Sequence, residues 1–308
     1  MDNKLRVCGW ALGLLVALLS IVGTAQAQTT IVRPDLSIPS KIGPAYFGPN
    51  AFPVPDMLDG RTSGNMRLEL YGDCFLGTTT GSIADDITAD LFAKLTIPLF
   101  TPKANLTVWM PIFEYFSTSA EINALRRLNY AGDLQGFDSG DAYVSADIQI
   151  LNQQRHWCDV AVRAALKTAS ANRFAEGRCY DAPGYFFDVA AGRSFAFDGG
   201  VGGTLRVALS GGFLCWQTDN GRQNDAVMYG AQLRYDYKRF GIDTTLGGYV
   251  GWENDGDQPM TLKTNLSYAF GDWAIRLSHQ VGFMDWPYHQ IRLGVVWNFD
   301  ILSKTNKK

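Results

Sequence analysis

The chain has 308 residues, of which 46% are apolar, 13% aromatic and 19% charged, and its formal net charge is -3. Soluble chains usually carry about a quarter charged residues, so the charged share is low here. This composition excludes a disordered chain, a collagen and a disulfide-dense miniprotein, and the weakly acidic balance argues against a nucleic-acid partner.

Residues 1–27 have the pattern of a secretory signal peptide. Lys4 and Arg6 give a positive start, residues 11–23 are apolar, and a small-x-small site, Ala-Gln-Ala, ends at Ala27. The apolar stretch is shorter than the roughly 20 residues that a spanning helix needs. We therefore expect export with cleavage near Ala27. No later stretch approaches about 18 consecutive apolar residues, so a bundle of transmembrane helices is excluded.

Residues 28–63 form a proline-rich extension that holds half of the chain's 12 prolines. Because proline lacks a backbone N–H and has a fixed φ, this stretch can form neither a central strand nor a helix. Two interpretations stay open: a periplasmic linker, or a segment that plugs the following domain or docks a periplasmic or membrane protein. Phe47, Phe52 and Met57 would give the second interpretation apolar surface to bury.

From Met66 onward, apolar residues alternate with polar or small ones, which is the side-chain period of a β-strand. Between 86 and 99, Leu91 and Leu95 share one face, while Asp90 and Lys94 share the other. About a dozen windows show this alternation. They are residues 66–77, 86–99, 104–116, 141–151, 157–169, 184–195, 204–217, 226–237, 240–252, 259–270, 273–283 and 288–299.

The windows are longer than ordinary strands, and the loops between them alternate in length. A globular strand usually has five or six residues, whereas a tilted strand crossing a bilayer needs about 9–11 in the apolar band. With both termini in the periplasm, the inner turns are mostly tight, as at 238–239 and 271–272, and the outer loops include the long 117–140 and 170–183. Short periplasmic turns with longer external loops are typical of bacterial barrels.

The two faces of these windows differ in charge. One face is almost wholly apolar, and Glu114, Arg193 and His279 are the ionisable residues that we assign to it. The other face carries nearly balanced basic and acidic residues, which favours ion pairs across a lumen over a strongly ion-selective pore. The candidate lumen-lining residues are Arg67, Glu69, Asp90, Lys94, Arg163, Arg206, Arg234, Asp236, Arg276 and Arg292.

Aromatic residues gather at both ends of the windows, as Trp273 and Trp297 do at the inner end and Trp252 at the outer end. Such girdles form where a ring lies half in lipid and half in water. Residues 66–299 thus resemble the outer-membrane β-barrel proteins of Gram-negative bacteria. The last strand, 291–299, looks like the aromatic-ended strand that the barrel-assembly machinery recognises.

The resemblance has one departure and one further detail. Residues 300–308 follow the terminal aromatic residue, where such proteins often end. The stretch 45–55 resembles uncharacterised barrels of Bacteroidota, and this resemblance implies no activity.

The sequence therefore predicts an all-β fold in the cell outer membrane. Its expected parts are the signal peptide 1–27, the extension 28–63, an antiparallel transmembrane β-barrel of about 12 strands at 64–299, and a periplasmic tail 300–308.

Cofactor and metal sites are not expected. The cysteines beyond the signal peptide, Cys74, Cys158, Cys179 and Cys215, form no C-x-x-C pair, so a zinc site is disfavoured. A Cys179–Cys215 disulfide in the oxidising compartment stays open as an alternative. The chain contains no phosphate-binding glycine loop.

His279 is the one candidate for chemistry on the apolar face. A barrel phospholipase places a His and a Ser together on its lipid-facing side, in a His-x-Ser pattern. Here Ser278 is adjacent to His279 and points to the opposite face, so Thr264 on the preceding strand is the nearest outward hydroxyl. This gives a candidate base without a convincing nucleophile, so we do not expect an enzyme.

Three functions follow from these patterns. The first is a passive pore for small polar solutes, lined by the ten candidate residues above. The second is a non-conducting barrel that anchors or binds a partner through 28–63 and 117–140, where residues 120–128 have the spacing of a short helix. The third is a lipid-modifying enzyme centred on His279. Outer-membrane lipids are the expected surroundings in every case.

Overall fold

The computed structural model describes residues 48–77, 86–125, 133–171, 177–178, 183–197, 202–217, 223–252, 254, 256–285 and 287–299. The predicted signal peptide, residues 28–47 of the extension, Cys179 and the predicted tail 300–308 lie outside this set. In the described part of the chain, no helix is both long and apolar enough to cross a bilayer.

Almost all of the described chain is β-strand. The elements are β1 (Met66–Gly77), β2 (Ile87–Pro98), β3 (Ala104–Ser117), α1 (Ala120–Leu125), β4 (Gln135–Asp138), β5 (Tyr143–Leu151), β6 (Asp159–Lys167), β7 (Gly184–Ala196), β8 (Thr204–Gln217), β9 (Gln223–Tyr237), β10 (Phe240–Gly251), β11 (Met260–Phe270), β12 (Trp273–Met284) and β13 (Tyr288–Phe299).

The sheet closes on itself. Each long strand pairs antiparallel with its sequence neighbours, β1 pairs with β13, and β2 pairs with both β1 and β3. The result is a closed barrel of 12 strands, which confirms the predicted fold. The short β4 lies outside this count, because it pairs only with the end of β3, from Glu114 opposite Asp138 to Ser117 opposite Gln135.

The two faces of the wall are sorted as the alternation predicts. Outward leucines are exposed, with 62% of Leu209, 57% of Leu293 and 55% of Leu166 accessible, whereas the inward Asp73 and Asp188 are buried. An apolar outer surface this continuous is unfavourable in water and favourable in lipid. Closure also pairs the backbone groups of both sheet edges, as hydrocarbon surroundings require.

Glu114 corrects one sequence assignment. The alternation places it on the apolar face, but Ile112 is an extra residue in β3 where the β2–β3 register shifts between Leu91 and Phe92. Because one inserted residue reverses the faces beyond it, Glu114 points into the lumen and is fully buried. A β-bulge leaves no clear mark in a single sequence, so the period-two pattern could not show it.

The connections follow the predicted alternation, with the short turns at one end of the barrel, predicted to be periplasmic, and the longer loops at the other, predicted to be external. Two-residue turns join β9 to β10 through Lys238 and Arg239, and β11 to β12 through Gly271 and Asp272. Lys238 has a φ of 53°, in the left-handed region. At the other end, the Ser119 hydroxyl accepts the backbone N–H of Ile122 at 3.2 Å and so caps α1, the described part of the predicted loop helix.

A lipid-facing position near mid-wall is expected to reject charge more strongly than one at the strand end. Leu209 lies in the middle of β8 on the outward face, and Leu205 lies on the same face near the periplasmic end. We expect Leu209→Arg to lower the free energy of unfolding by about 2–4 kcal/mol and Leu205→Arg by about 1 kcal/mol or less. Denaturant titration in phospholipid vesicles measures both, and equal losses would contradict the lipid-facing assignment.

Candidate functional site

Residues 48–65, called the lumen segment below, run through the inside of the barrel. At the end with the long loops, the Gly48 N–H donates to the Gly177 carbonyl at 2.6 Å. At the other end, the Thr62 hydroxyl donates to the Pro102 carbonyl, in the short turn between β2 and β3, at 2.6 Å. The chain then enters β1 at Met66. The lumen segment therefore crosses the barrel from the end with the long loops, the predicted outer mouth, to the end with the short turns, the predicted periplasmic end.

Polar groups fix the segment near the outer mouth. The Asn50 side-chain amide donates to Asp90 at 2.7 Å and to Glu114 at 2.6 Å. These acidic side chains lie directly opposite each other on β2 and β3, so one amide bridges the two. Arg178, from the loop after β6, donates to Glu114 at 2.9 Å and also to the Thr88 hydroxyl. Its guanidinium offsets part of the buried negative charge.

Phe52 is the largest buried apolar side chain of the lumen segment, and Ala51 and Val54 pack in the same cluster. It is 1% exposed, and its ring centroid lies 6.0 Å from that of Trp216. Tyr143 and Phe186 belong to the same buried cluster. The Tyr249 hydroxyl donates to the Phe52 carbonyl at 3.2 Å. Burying one Phe side chain stabilises this arrangement by about 2–3 kcal/mol, so Phe52 is the principal apolar contact of the segment.

Charged residues hold the lower half of the segment. Asp56 pairs with Lys263 at 2.8 Å, and its carbonyl accepts from Arg163 at 2.8 Å. The Asp59 carbonyl accepts from Arg206 at 2.6 Å. Gly192 on β7 makes this approach feasible, because a Cβ there would lie 2.5 Å from the Asp59 carbonyl oxygen.

The ion pair between Asp56 and Lys263 joins a carboxylate to an ammonium inside the barrel, so it helps to hold the lower half of the segment against the wall.

A cavity of about 540 Å³ lies beside the lumen segment. Polar wall residues such as Thr107, Ser145 and Asn265 line it together with charged ones. Most of the lumen-lining candidates from the sequence border this cavity. They are Arg67, Glu69, Lys94, Arg163, Arg234, Arg276 and Arg292.

The other three candidates make contacts elsewhere in the barrel. Asp90 contacts Asn50 near the outer mouth, as described above. Arg206 pairs with Asp159 at 2.9 Å, besides its bonds to the lumen segment. Asp236 accepts both Nε and Nη2 of Arg234, at 2.7 and 2.8 Å. The three thus take part in ion pairs or in holding the segment.

Ion pairs within and between strands organise the cavity wall formed by β12, β13 and β1. Arg292 contacts both carboxylate oxygens of Asp73, at 2.5 to 2.9 Å. Glu69 is shared by Arg67 at 3.2 Å and Arg276 at 3.3 Å. Such paired charges present donors and acceptors to the cavity while most of their charge is balanced.

Sequence reasoning missed the residues that the lumen segment brings to the cavity. Asn50, Asp56 and Asp59 lie in the proline-rich stretch, where no side-chain period assigns a face. Lys263 falls on the charged face by alternation, but nothing in the sequence marks Asp56 as its partner. A contact between residues 207 positions apart leaves no local pattern.

The lipid-facing histidines do not meet a hydroxyl. His279 Nε2 lies 3.2 Å from His289 Nδ1, and their rings stack. The Thr264 hydroxyl is instead 3.2 Å from that of Thr244, and Ser278 donates inside the barrel to Asn265 at 2.5 Å. Among the described residues, His279 thus has no hydroxyl hydrogen-bond partner that it could activate.

Cysteines and metal ligands add no site in the described residues. Cys74, Cys158 and Cys215 are free thiols, and Cys179, the candidate disulfide partner, lies outside the described set. The described part of the chain holds no group of three or more His, Cys, Asp or Glu side chains placed to bind a metal ion.

The fold was compared with those of known proteins. No protein-family model and no curated protein matches the sequence. An outer membrane channel from Pseudomonas putida F1 superposes with a TM-score of 0.56, covering 80% of this chain and 100% of that chain at 15% identity. At this identity the likeness concerns the fold, and the chain is an outer-membrane β-barrel by fold.

Two porins also superpose, with lower scores. The NanC porin gives a TM-score of 0.47 at 11% identity, over 75% of this chain and 98% of that chain. The KdgM porin gives 0.44 at 11% identity, over 75% and 99%.

Removing the Phe52 ring should release the lumen segment without unfolding the barrel. Phe→Ala in a packed cluster costs about 3 kcal/mol or more, which corresponds to about a hundredfold in the docking equilibrium. Amide hydrogen exchange followed by mass spectrometry should show faster exchange over residues 48–65 in Phe52→Ala and unchanged exchange in the strands. Leu58→Ala, outside the apolar cluster, is the matched control. Unchanged exchange in Phe52→Ala would contradict the docked arrangement.

Proposed function

We propose that this protein is a passive outer-membrane channel for small polar solutes, in which the lumen segment narrows the pore. The cavity of about 540 Å³ beside the segment carries this proposal. It lies inside a closed barrel and is lined by charged and polar side chains. These side chains project into the lumen but leave the cavity open. A barrel that served only as a support would need no polar space of this size.

The lumen segment sets the width of that pore. Its contacts divide into a polar group at Asn50, an apolar one at Phe52 and an ionic one at Asp56 and Asp59. Asn50 holds the upper end of the chain to β2 and β3, whereas Phe52, Asp56 and Asp59 hold the rest of it against the wall formed by β5 to β11. Below Asn50, solutes pass on the side of β12, β13, β1 and β2. In this interpretation residues 48–63 of the predicted extension act as a fixed constriction.

Location and export form part of the same proposal. The outward leucines match an apolar bilayer, and the signal-peptide pattern of residues 1–27, with cleavage near Ala27, gives a route to the outer membrane of a Gram-negative cell. A Bacteroidota-type barrel, suggested by the resemblance of residues 45–55, stays a prediction. A periplasmic or membrane partner of the extension 28–63 also stays a prediction, as does the tail at 300–308.

Single-channel recording in planar bilayers tests the proposal. We expect discrete conductance steps from the mature full-length protein. A variant lacking residues 28–63 should give larger steps, because the constriction is removed while all the barrel strands remain. Gel mobility with and without heating checks that both forms are folded. A folded barrel that gives no steps in either form would overturn the channel proposal.

The same preparation separates the alternative functions. A docking arm predicts that deletion of 28–63 removes a co-purifying protein and leaves conductance unchanged. A lipid-modifying enzyme predicts that His279→Ala alters membrane lipid composition. We expect neither result, because the segment is in contact with the lumen wall and His279 lacks a hydroxyl partner among the described residues.

A further inference from the structure

Asp56 of the lumen segment lies among cations of the barrel wall. Its carboxylate is 2.8 Å from the ammonium of Lys263, and about half of the Asp56 side chain is accessible from the cavity. Lys94 and Arg292 lie close enough to interact with it electrostatically, and so does Arg276. These four side chains come from β11, β2, β13 and β12 and all border the same cavity.

The cations differ in what else balances them. Arg292 has Asp73, and Arg276 has Glu69, as wall partners. Lys94 makes no ion pair in the described part of the chain, although Glu69 lies beside it on the neighbouring strand. Lys263 has Asp56 as its ion-pair partner. Without Asp56, Lys263 would join Lys94 in facing the cavity with no carboxylate in contact.

We propose that the cations around Asp56 form a binding site for small carboxylate solutes, and that Asp56 occupies this site as a tethered substitute for the solute. The proposal rests on the proposed channel for the route by which the solute arrives. Binding itself requires only the cavity, whose volume is within the usual 300–1,000 Å³ of ligand sites. A carboxylate from solution would meet the same Lys263 ammonium that holds Asp56, with Lys94 on the same cavity.

The carboxylate of Asp56 and the carboxylate of the solute compete for Lys263, and this competition sets the affinity and selectivity of the site. A tethered group acts at a high effective concentration, in the millimolar range or above, so it weakens binding of a free competitor. The arrangement therefore favours weak, rapidly reversible binding, as conduction requires. It also selects against neutral solutes of the same size, which cannot replace Asp56 on Lys263.

Calorimetric titration of the folded, full-length mature protein in detergent tests the proposal, with succinate as the probe and neutral succinamide as its control. Asp56→Asn should bind succinate at least about tenfold more tightly than the wild type, because the internal competitor is lost. Asp56→Glu, which keeps a carboxylate, should stay within about twofold of the wild type. Succinamide should bind none of the variants measurably.

Asp147→Asn is the matched control for charge. Asp147 borders the same cavity and hydrogen-bonds to Ser145 at 3.0 Å and Thr107 at 3.4 Å, and it makes no ion pair in the described structure. Asp147→Asn removes one negative charge from the lumen, as Asp56→Asn does, and we expect succinate affinity to change by less than about twofold. Adding Lys263→Gln to Asp56→Asn should remove the gained affinity.

Equal succinate affinity in Asp56→Asn and Asp147→Asn would overturn the proposal, since only the general charge of the lumen would then matter. Binding is measured without conduction, so this outcome is independent of channel activity. Conducting steps without the gain in affinity would leave the channel function standing and reject the carboxylate site. A gain in affinity without conducting steps would support the carboxylate site and reject the channel function.

Discussion

Closure of the β-sheet is the constraint on which the rest of this structure depends. A strand in hydrocarbon must pair every backbone N–H and C=O, and the β1–β13 and β2–β3 pairings remove the free edges. Closing the sheet separates an outside that must be apolar from an inside that lipid does not reach. The two-residue period of the sequence is the direct consequence, because it delivers alternate side chains to these two environments.

The interior then has to be satisfied by the protein itself. Charged side chains on adjacent strands pair with one another, as Arg292 does with Asp73, and the lumen segment supplies further partners. The segment is held by chemically different contacts along its length, from the Asn50 amide to the Phe52 ring and the Asp56 carboxylate. Because these contacts lie on different strands, the segment also ties opposite parts of the wall together.

The strands and the two faces of the wall could be predicted from the sequence, because both follow from a local, periodic pattern of side chains. Strand windows such as 204–217 coincide with the observed β8, and the charged and apolar faces were assigned from alternation alone. Alternation failed at Glu114, because the bulge at Ile112 reverses the faces without a signature in composition. It also gave no sign of β4, a strand of only 4 residues in a long loop.

The candidate site was predictable only in part, for a similar reason. Alternation identifies wall residues such as Lys94 and Arg276, since their direction follows from strand position. It does not show which charges meet, because pairing across the lumen depends on closure and register. The proline-rich segment has no period at all, so the position of Asp56 beside Lys263 emerges only from the three-dimensional structure.

The path of the lumen segment through the barrel can be measured directly, from the side of the membrane on which its residues are accessible in intact cells. In a background without other cysteines, Asn50→Cys and Arg61→Cys would be exposed to a membrane-impermeant maleimide added from outside. The cysteine at position 50 should be labelled from outside, and the one at position 61 only after the periplasm is opened. Labelling of both positions only from the periplasm would contradict a segment that crosses the lumen.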